Sequence, residues 1–436
     1  MNGSEKGKPS LSRRGFLAKA GGFIVAAGAG FGLHAATDAV ATMKADDRSA
    51  AGNTRNASEP FWGRHQGGIL TPPQRHTYIA AFDLVTTKRD DVIKMLRGWS
   101  AAAARMAGGQ TAEPMGQDLT VAGPDTGEAL GLPPARLTLT FGFGAGLFTK
   151  DGKDRYNLAT HRPDALVDLP RFNGDQLVEA ITGGDLSVQA CADDPQVAFH
   201  AVRQLARVAS DVAQMRWAQT GFITSSSPKE TPRNLMGFKD GTSNPSVNDP
   251  GAMGKFVWVG SEGPDWMRGG SYVVIRRIRI ALEHWDHLTV AFQEQIVGRH
   301  KYSGAPLGGK NEFDSPNLTA TDKDGNSVIP KNAHVRLAVA ENNGGARILR
   351  RPYSYNDGIN FNAERWPRWQ GMEYDAGLLF ICYQKDPRTG FINIFDKLSQ
   401  FDMMNQFVKH TGGGLFACPG GMAEGGFIGQ RLFEIA

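Results

Sequence analysis

The chain has 436 residues, of which 41% are hydrophobic and 21% charged, enough apolar content for two domains or one large one, each with its own core. That balance excludes disorder and a collagen-like class for most of the chain. The formal charge of +4 is concentrated near the start, where residues 1–41 hold Lys6, Lys8, Arg13, Arg14 and Lys19 against Glu5 and Asp38. The remainder is close to neutral and gives no sign of nucleic-acid binding.

Ser12-Arg13-Arg14-Gly15-Phe16-Leu17 is a twin-arginine pattern, followed by a Gly/Ala-rich apolar run to Ala36 and the small-x-small triplet Ala39-Val40-Ala41. Residues 1–41 are therefore expected to be a Tat export signal cleaved after Ala41, placing the protein in the periplasm or on the extracytoplasmic face of the membrane. A permanent membrane anchor is the alternative, and the many Gly and Ala residues make the run weakly hydrophobic for that purpose. The Tat route carries folded proteins, so a cofactor inserted before export is the first functional hint. Residues 42–68 are small and polar and read as a mobile linker, with folding expected to begin near Thr71.

Beyond the linker, His76 to Thr86 is strand-like and leads into an amphipathic helical segment, and Ala135 to Gly144 is a further apolar strand. The order recurs later: Gly270 to Leu282 leads into the helical segment from Glu283 to Arg299, and Ala376 to Lys385 is a strand. The segments Asp193–Met215 and Asn393–Thr411 supply a second long helix to each half. Each half is βαββαβ in outline, so the chain is expected to be a duplicated α+β protein of ferredoxin-like units with antiparallel sheets, spanning 69–225 and 226–436. Between Arg299 and Ala376 lies a long segment rich in Gly, Asn, Pro and Asp, and a loop of that length in a compact domain is commonly functional.

Cys191, Cys382 and Cys418 are far apart, with no CxxC or CxxCH unit, which argues against a zinc ribbon, an iron–sulfur cluster and covalently attached haem. Cys382, inside Gly377 to Gln384, reads as a core thiol. Phe141 to Phe148 carries Gly142, Gly144 and Gly146 without the spacing of a dinucleotide loop, and no GxSxG, HExxH, Walker A or EF-hand pattern occurs.

The long segment holds His334, with Arg336 two residues on, and Arg350-Arg351 further along. A lone histidine there can be structural, and an arginine pair can be a solvated strand end. Together they offer what a haem needs, one neutral imidazole for iron and cations for propionates. Upstream, Gly237-Phe238-Lys239-Asp240-Gly241-Thr242-Ser243-Asn244-Pro245 has the composition of a turn, but neither flank alternates as a hairpin strand would. Trp366, Trp369 and Tyr374 are packing aromatics or, if exposed, carriers of electrons to a bulky substrate.

Taken in order, Asn234 to Pro245, Ala333 to Ala338, Ile348 to Arg351 with Tyr353 to Tyr355, and Gly377 to Phe391 resemble the dye-decolourising (DyP-type) peroxidases. The twin-arginine signal and the Phe141 to Gly144 strand point to the exported deferrochelatase/peroxidase subgroup of ferrous-iron uptake systems. The resemblance covers essentially the whole mature chain. It implies haem b (iron protoporphyrin IX) in the C-terminal half, with His334 the proximal iron ligand, Asp240 the distal acid-base residue and Arg350 the distal arginine. It also implies Gly241, Thr242 and Ser243 along the haem face and Arg336 as a propionate partner. The stretch Ala338 to Ala346 departs from the subgroup's pattern, in a loop expected to contact the propionates. Implied partners are hydrogen peroxide, a reducing substrate or haem itself, a ferrous-iron permease system and a second copy in a homodimer.

Peroxide must lose a proton from its inner oxygen and gain one on its outer oxygen before the O–O bond breaks heterolytically. A carboxylate can make both transfers, with an effect typically of ~10²–10⁴ in rate. Arg350 would stabilise the charge that develops. Three readings follow: a peroxidase in extracytoplasmic iron supply, a lyase that releases iron and leaves the tetrapyrrole intact, and a non-catalytic haem-binding protein. A carrier needs His334 but neither Asp240 nor Arg350, so their joint presence favours catalysis.

Overall fold

A computed structural model of the protein describes residues 56–224, 230–361 and 371–435. In the N-terminal half, β1 (His76–Leu84) is followed by α1 (Arg89–Ala107), β2 (Thr138–Phe143), β3 (Leu186–Ala192), α2 (Pro195–Val208) and β4 (Ala213–Phe222). In the C-terminal half a short helix at Pro250–Phe256 precedes β5 (Ser271–Ile280), then come α3 (Leu282–Trp285), α4 (Val290–Val297), α5 (His334–Ala338) and the two-residue β6 (Leu349–Arg350). It continues with β7 (Tyr353–Phe361), β8 (Met372–Gln384), α6 (Asn393–Phe401) and β9 (Val408–Cys418), and a short helix at Gln430–Ile435 follows.

The N-terminal strands lie in the order β2-β3-β1-β4 and the C-terminal ones in the order β7-β8-β5-β9, the same arrangement twice. All these pairings are antiparallel. The halves join where Phe143 of β2 meets Ala417 of β9 and where Phe222 of β4 meets Ser354 of β7, which closes one eight-stranded barrel. Closure removes the free sheet edges that two separate units would expose.

Alternation along the strands splits the core in two. Ile79, Ala81, Cys191, Tyr353, Leu379, Ile381 and Tyr383 belong to one buried cluster, on the inner face. Ala80, Phe82, Leu84, Leu139, Phe141 and Val188 belong to another, under the helices. All three cysteines are buried and unpaired, Cys382 among them as expected of a core thiol.

Helix α1 covers the outer face of the N-terminal sheet with Val92, Met95, Leu96 and Trp99. Its C-terminal counterpart is broken into α3 and α4, of four and eight residues. Val297, Ile278, Ile280, Leu378 and Phe380 then line a cavity. The broken crossover leaves room for that cavity on the C-terminal sheet.

Several expectations change. The second C-terminal strand is Tyr353–Phe361, which composition alone assigns to the irregular segment, and Met372–Gln384 is the third. The apolar side chains of Tyr353 and Tyr355 are fully buried, and that alternation is masked by the polar run Asn356 to Asn360. The helical readings also run too far: α2 ends at Val208 and Ala213 already begins a strand, while α6 ends at Phe401 and β9 begins at Val408.

The linker expectation fails over residues 59–68. The Gln66 side chain donates to the carbonyls of Phe141 and Pro419 and accepts from the Phe141 amide, and Glu59 pairs with Arg136 at 2.9 Å. The polar groups of this stretch satisfy the ends of β2 and β9 rather than water. Residues 1–55, with the signal and the rest of the linker, lie outside the described residues, as do Trp366 and Trp369. Tyr374 sits half-buried in β8. Among the described residues no helix is long and apolar enough to cross a membrane.

Candidate active site

The loop that carries Asp240 is a built structure. Met236 and Phe238, each 3% exposed, insert beside Trp285 and Ile296. Between them Asn234 Oδ1 accepts from the amides of Met236 and Phe238, and Arg233 donates to the carbonyls of Gly237 and Lys301. Gly237 and Gly241 have φ of +85° and +131°, conformations that a side chain strains. A Cβ at Gly237 would stand 2.8 Å from Lys301 Cε. The need for glycine at that position is therefore local, and Gly237 is not part of the cavity wall.

The Asp240 carboxylate meets the Arg350 guanidinium, Nη1 to Oδ1, at 2.7 Å. Two side chains set this geometry from behind. Asn244 accepts from the Arg350 amide at 3.1 Å and donates to the Arg350 carbonyl at 2.7 Å, fastening the loop to β6. Glu312 accepts from Thr242 Oγ1 at 3.0 Å and from Lys239 Nζ at 2.5 Å. Burial opposes ionisation of Glu312, but hydrogen bonds from Lys239, Thr231 and Thr242 outweigh it and hold the carboxyl below its ordinary range.

His334 opens α5, and its Nδ1 lies 2.6 Å from Asp402 Oδ2. Asp402 follows α6 directly; its other oxygen accepts from the Met404 amide at 2.8 Å, and the Met403 amide donates to the Asn332 carbonyl beside His334. With Nδ1–H donating to Asp402, the Nε2 lone pair is left for a ligand. Burial alone would lower the His334 pKa, but the Asp402 carboxylate outweighs it and the value lies above the ordinary one.

Asp240, Gly241, Thr242, Ser243, His334 and Arg350 all line one cavity of about 490 Å³. Its other walls are mostly apolar, including Ile278, Leu378, Phe380, Phe395 and Leu398. The departing stretch from Ala338 to Ala346 also contributes wall, through Val339, Ala340 and Glu341. A flat macrocycle with a central metal fits this donor set: one imidazole oriented by a carboxylate, apolar faces, and a charged pair kept for chemistry.

Arg336 is not among the side chains of the cavity wall, and its Nη2 is buried without a hydrogen-bond partner. Its Nε donates to the Ile329 carbonyl at 3.0 Å, which turns the guanidinium toward the segment before α5. Arg347 and Arg299 are the cations, besides Arg350 and Lys239, that reach the wall. Arg351 is also absent from it; 3% exposed, it is bonded to the Thr71 carbonyl and Gln74 inside the fold.

Asp402, Asn244 and His410 are wall residues that motif reading misses. His410 accepts at Nδ1 from Arg276 Nε at 3.1 Å, and Arg276 in turn pairs with the buried Asp175. Burial, and then the Arg276 charge, hold the His410 pKa well below its ordinary value. A signal existed for Asp402 alone: an aspartate after an amphipathic helix and before a new turn is a capping pattern.

Two family models match the chain, that of the Dyp-type peroxidase N-terminal domain over residues 66–223 and that of its C-terminal domain over 231–423. The chain belongs to the Dyp-type peroxidase family. It is 39% identical to a dye-decolorizing peroxidase of Thermobifida fusca, over 97% of each chain. It is 36% identical to a deferrochelatase of Escherichia coli, over 88% of this chain and 89% of that one. A crystal structure of a DyP-type peroxidase from Streptomyces coelicolor superposes with a TM-score of 0.79 at 42% identity, covering 87% of this chain and 98% of that one. The protein is thus a haem-dependent enzyme with peroxidase or deferrochelatase function, on the duplicated α+β fold that the sequence suggests.

Proposed function

We propose that the protein is a hydrogen-peroxide-dependent peroxidase that uses haem b held by His334 on iron, with Asp240 and Arg350 as the catalytic side chains. The observation that carries this reading is the 2.7 Å pair between Asp240 and Arg350 in the same cavity as a histidine backed by a carboxylate. A haem carrier needs the histidine alone.

The haem supplies an iron that binds peroxide and stores the oxidising equivalents. The chain does the rest. Asp240 takes the proton from the inner peroxide oxygen and returns it to the outer one, so the leaving group departs as water. Arg350 keeps the carboxylate in place and offers N–H donors to the developing negative charge, in a pocket whose apolar walls strengthen that interaction. Asp402 gives His334 partial imidazolate character, which raises its basicity toward iron. Gly241, Thr242 and Ser243 bring the loop's backbone along the cavity wall, and Arg347 on that wall, with the unpartnered Arg336 Nη2 behind it, is the cation offered to propionates.

The deferrochelatase names of relatives from Escherichia coli and Yersinia pseudotuberculosis support a link to iron supply from haem. The twin-arginine pattern supports Tat export to the periplasm, with a ferrous-iron permease as the partner such a role requires, and the protein acting there as a homodimer. Haem-loaded protein mixed with one equivalent of peroxide tests the main reading: a rapid Soret change followed by oxidation of a reducing dye is expected. Metal-free protoporphyrin accumulating with haem and a reductant, with no response to peroxide, would replace it by the lyase reading.

A further inference from the structure

Residues 108–137, between α1 and β2, contain no helix or strand, a length of chain that needs something to hold it. Asp125 and Glu128 lie in this connection, and His200 faces them from α2. His200 Nε2 stands 3.3 Å from Asp125 Oδ2, and its Nδ1 stands 3.3 Å from Glu128 Oε1. Taking one ligand atom from each residue, the three lie within 4.8 Å of one another, and this is the one such group among the described residues. None of the three lines the haem cavity.

Two observations distinguish the group from a hydrogen-bonded cluster. His200, 2% exposed, meets Gln204 Nε2 at 3.5 Å from Nδ1, while its Nε2 and Glu128 Oε1 are buried and their 3.3 Å approaches within the group lack hydrogen-bond geometry. Asp125 is fixed in advance, since its two oxygens accept from the amides of Gly127 at 2.7 Å and Ala112 at 2.8 Å, and Glu128 Oε2 accepts from the Thr126 hydroxyl. Carboxylates oriented in this way keep lone pairs for a further partner.

The distances and charges suit a metal ion. Two atoms bound to one zinc at about 2.0–2.1 Å in tetrahedral geometry stand roughly 3.3 Å apart, which is the His200–Asp125 separation. With a neutral imidazole the buried group carries two negative charges; the nearest cation, Arg203, is 3.5 Å from Glu128 and half exposed. A divalent ion neutralises both.

We propose that Asp125, Glu128 and His200 form a structural site for a divalent transition-metal ion with one nitrogen and two oxygen ligands, zinc fitting best, that staples the 108–137 connection to α2. Water completes the coordination from the Glu128 side, the most open of the three. The site is independent of the peroxidase reading.

The test uses untagged, haem-loaded protein equilibrated with zinc, dialysed and assayed by elemental mass spectrometry, with iron counted separately. One zinc per chain beyond the haem iron is expected, together with slower proteolysis within 108–137. Glu128→Gln, at a partly open side chain, should retain the fold and bind zinc at least ~10-fold more weakly, and His200→Gln should bind none. Zinc at background in the wild type, as a proton shared by His200 and the carboxylates would give, overturns the proposal. So does zinc uptake by Glu128→Gln equal to the wild type, a result that stands even if His200→Gln does not fold.

Discussion

His334 Nδ1 and Asp402 Oδ2 are 2.6 Å apart although 68 residues separate them in sequence. The bond ties the first residue of α5 to the residue that follows α6, so the orientation of the imidazole depends on how the two short helices pack. Leu337, Ile394 and Leu398 form the small cluster that fixes that packing.

A first expectation separates the two residues. His334→Ala should lose haem on gel filtration, seen as loss of the Soret band. Asp402→Asn keeps a hydrogen-bonding side chain but removes the negative charge, so it should retain haem with affinity lowered by about 10–100-fold, the usual cost of changing an outer partner of a ligand. Its reduction potential should rise, because a less anionic histidine stabilises ferric iron less. An unchanged potential in a spectroelectrochemical titration would show that Asp402 merely packs.

Asp240→Asn and Arg350→Leu test the pair that lies 2.7 Å apart. Loss of acid-base assistance should slow the peroxide-dependent Soret change by ~10²–10⁴ in Asp240→Asn. Arg350→Leu removes the donor for the developing charge and the partner that orients Asp240, so its loss should be at least as large. If stopped-flow rates of Asp240→Asn match the wild type, the carboxylate carries no proton and Arg350 alone promotes the reaction.

The Asn244 side chain makes both of its hydrogen bonds to the backbone of Arg350. Asn244→Ala removes the two, at roughly 0.5–1.5 kcal/mol each. The peroxide rate should fall while haem affinity stays the same, since neither His334 nor Asp402 is touched. A parallel loss of haem would mean that the loop, rather than the arginine, had moved.

The parts of this site that were legible in sequence are those whose chemistry is local. Asp240 sits in a loop whose glycines and Asn-Pro pair announce a constrained backbone, and His334 and Arg350 stand out because an imidazole and a guanidinium occur in a segment with few other reasons to be conspicuous. Asp402 and Asn244 were hidden because their meaning is relational: each acts through a partner 68 or 106 residues away. Proximity of Arg336 to His334 in sequence, likewise, does not say where a short helix turns its third residue. The two-fold fold repeat was visible in the strand and helix order, whereas the closure into one barrel rests on single pairs at Phe143–Ala417 and Phe222–Ser354 that no periodicity encodes.

The last expectation concerns His410, a buried histidine whose pKa is held down by burial and by Arg276. The folded state keeps it neutral, while in the unfolded chain it takes up a proton near its ordinary value of 6.5. Between those two values the unfolded state binds the extra proton, so stability is full above pH 6.5 and declines as pH falls toward the depressed folded value. The slope from one such group approaches about 1.4 kcal/mol per pH unit. His410→Gln cannot titrate, so the difference in unfolding free energy between wild type and variant should shrink from pH 7.5 to pH 5.5, measured by urea denaturation at each pH. A difference that is constant with pH would show that His410 titrates alike in the folded and unfolded chain, and one that grows as pH falls would show that it is protonated in the fold.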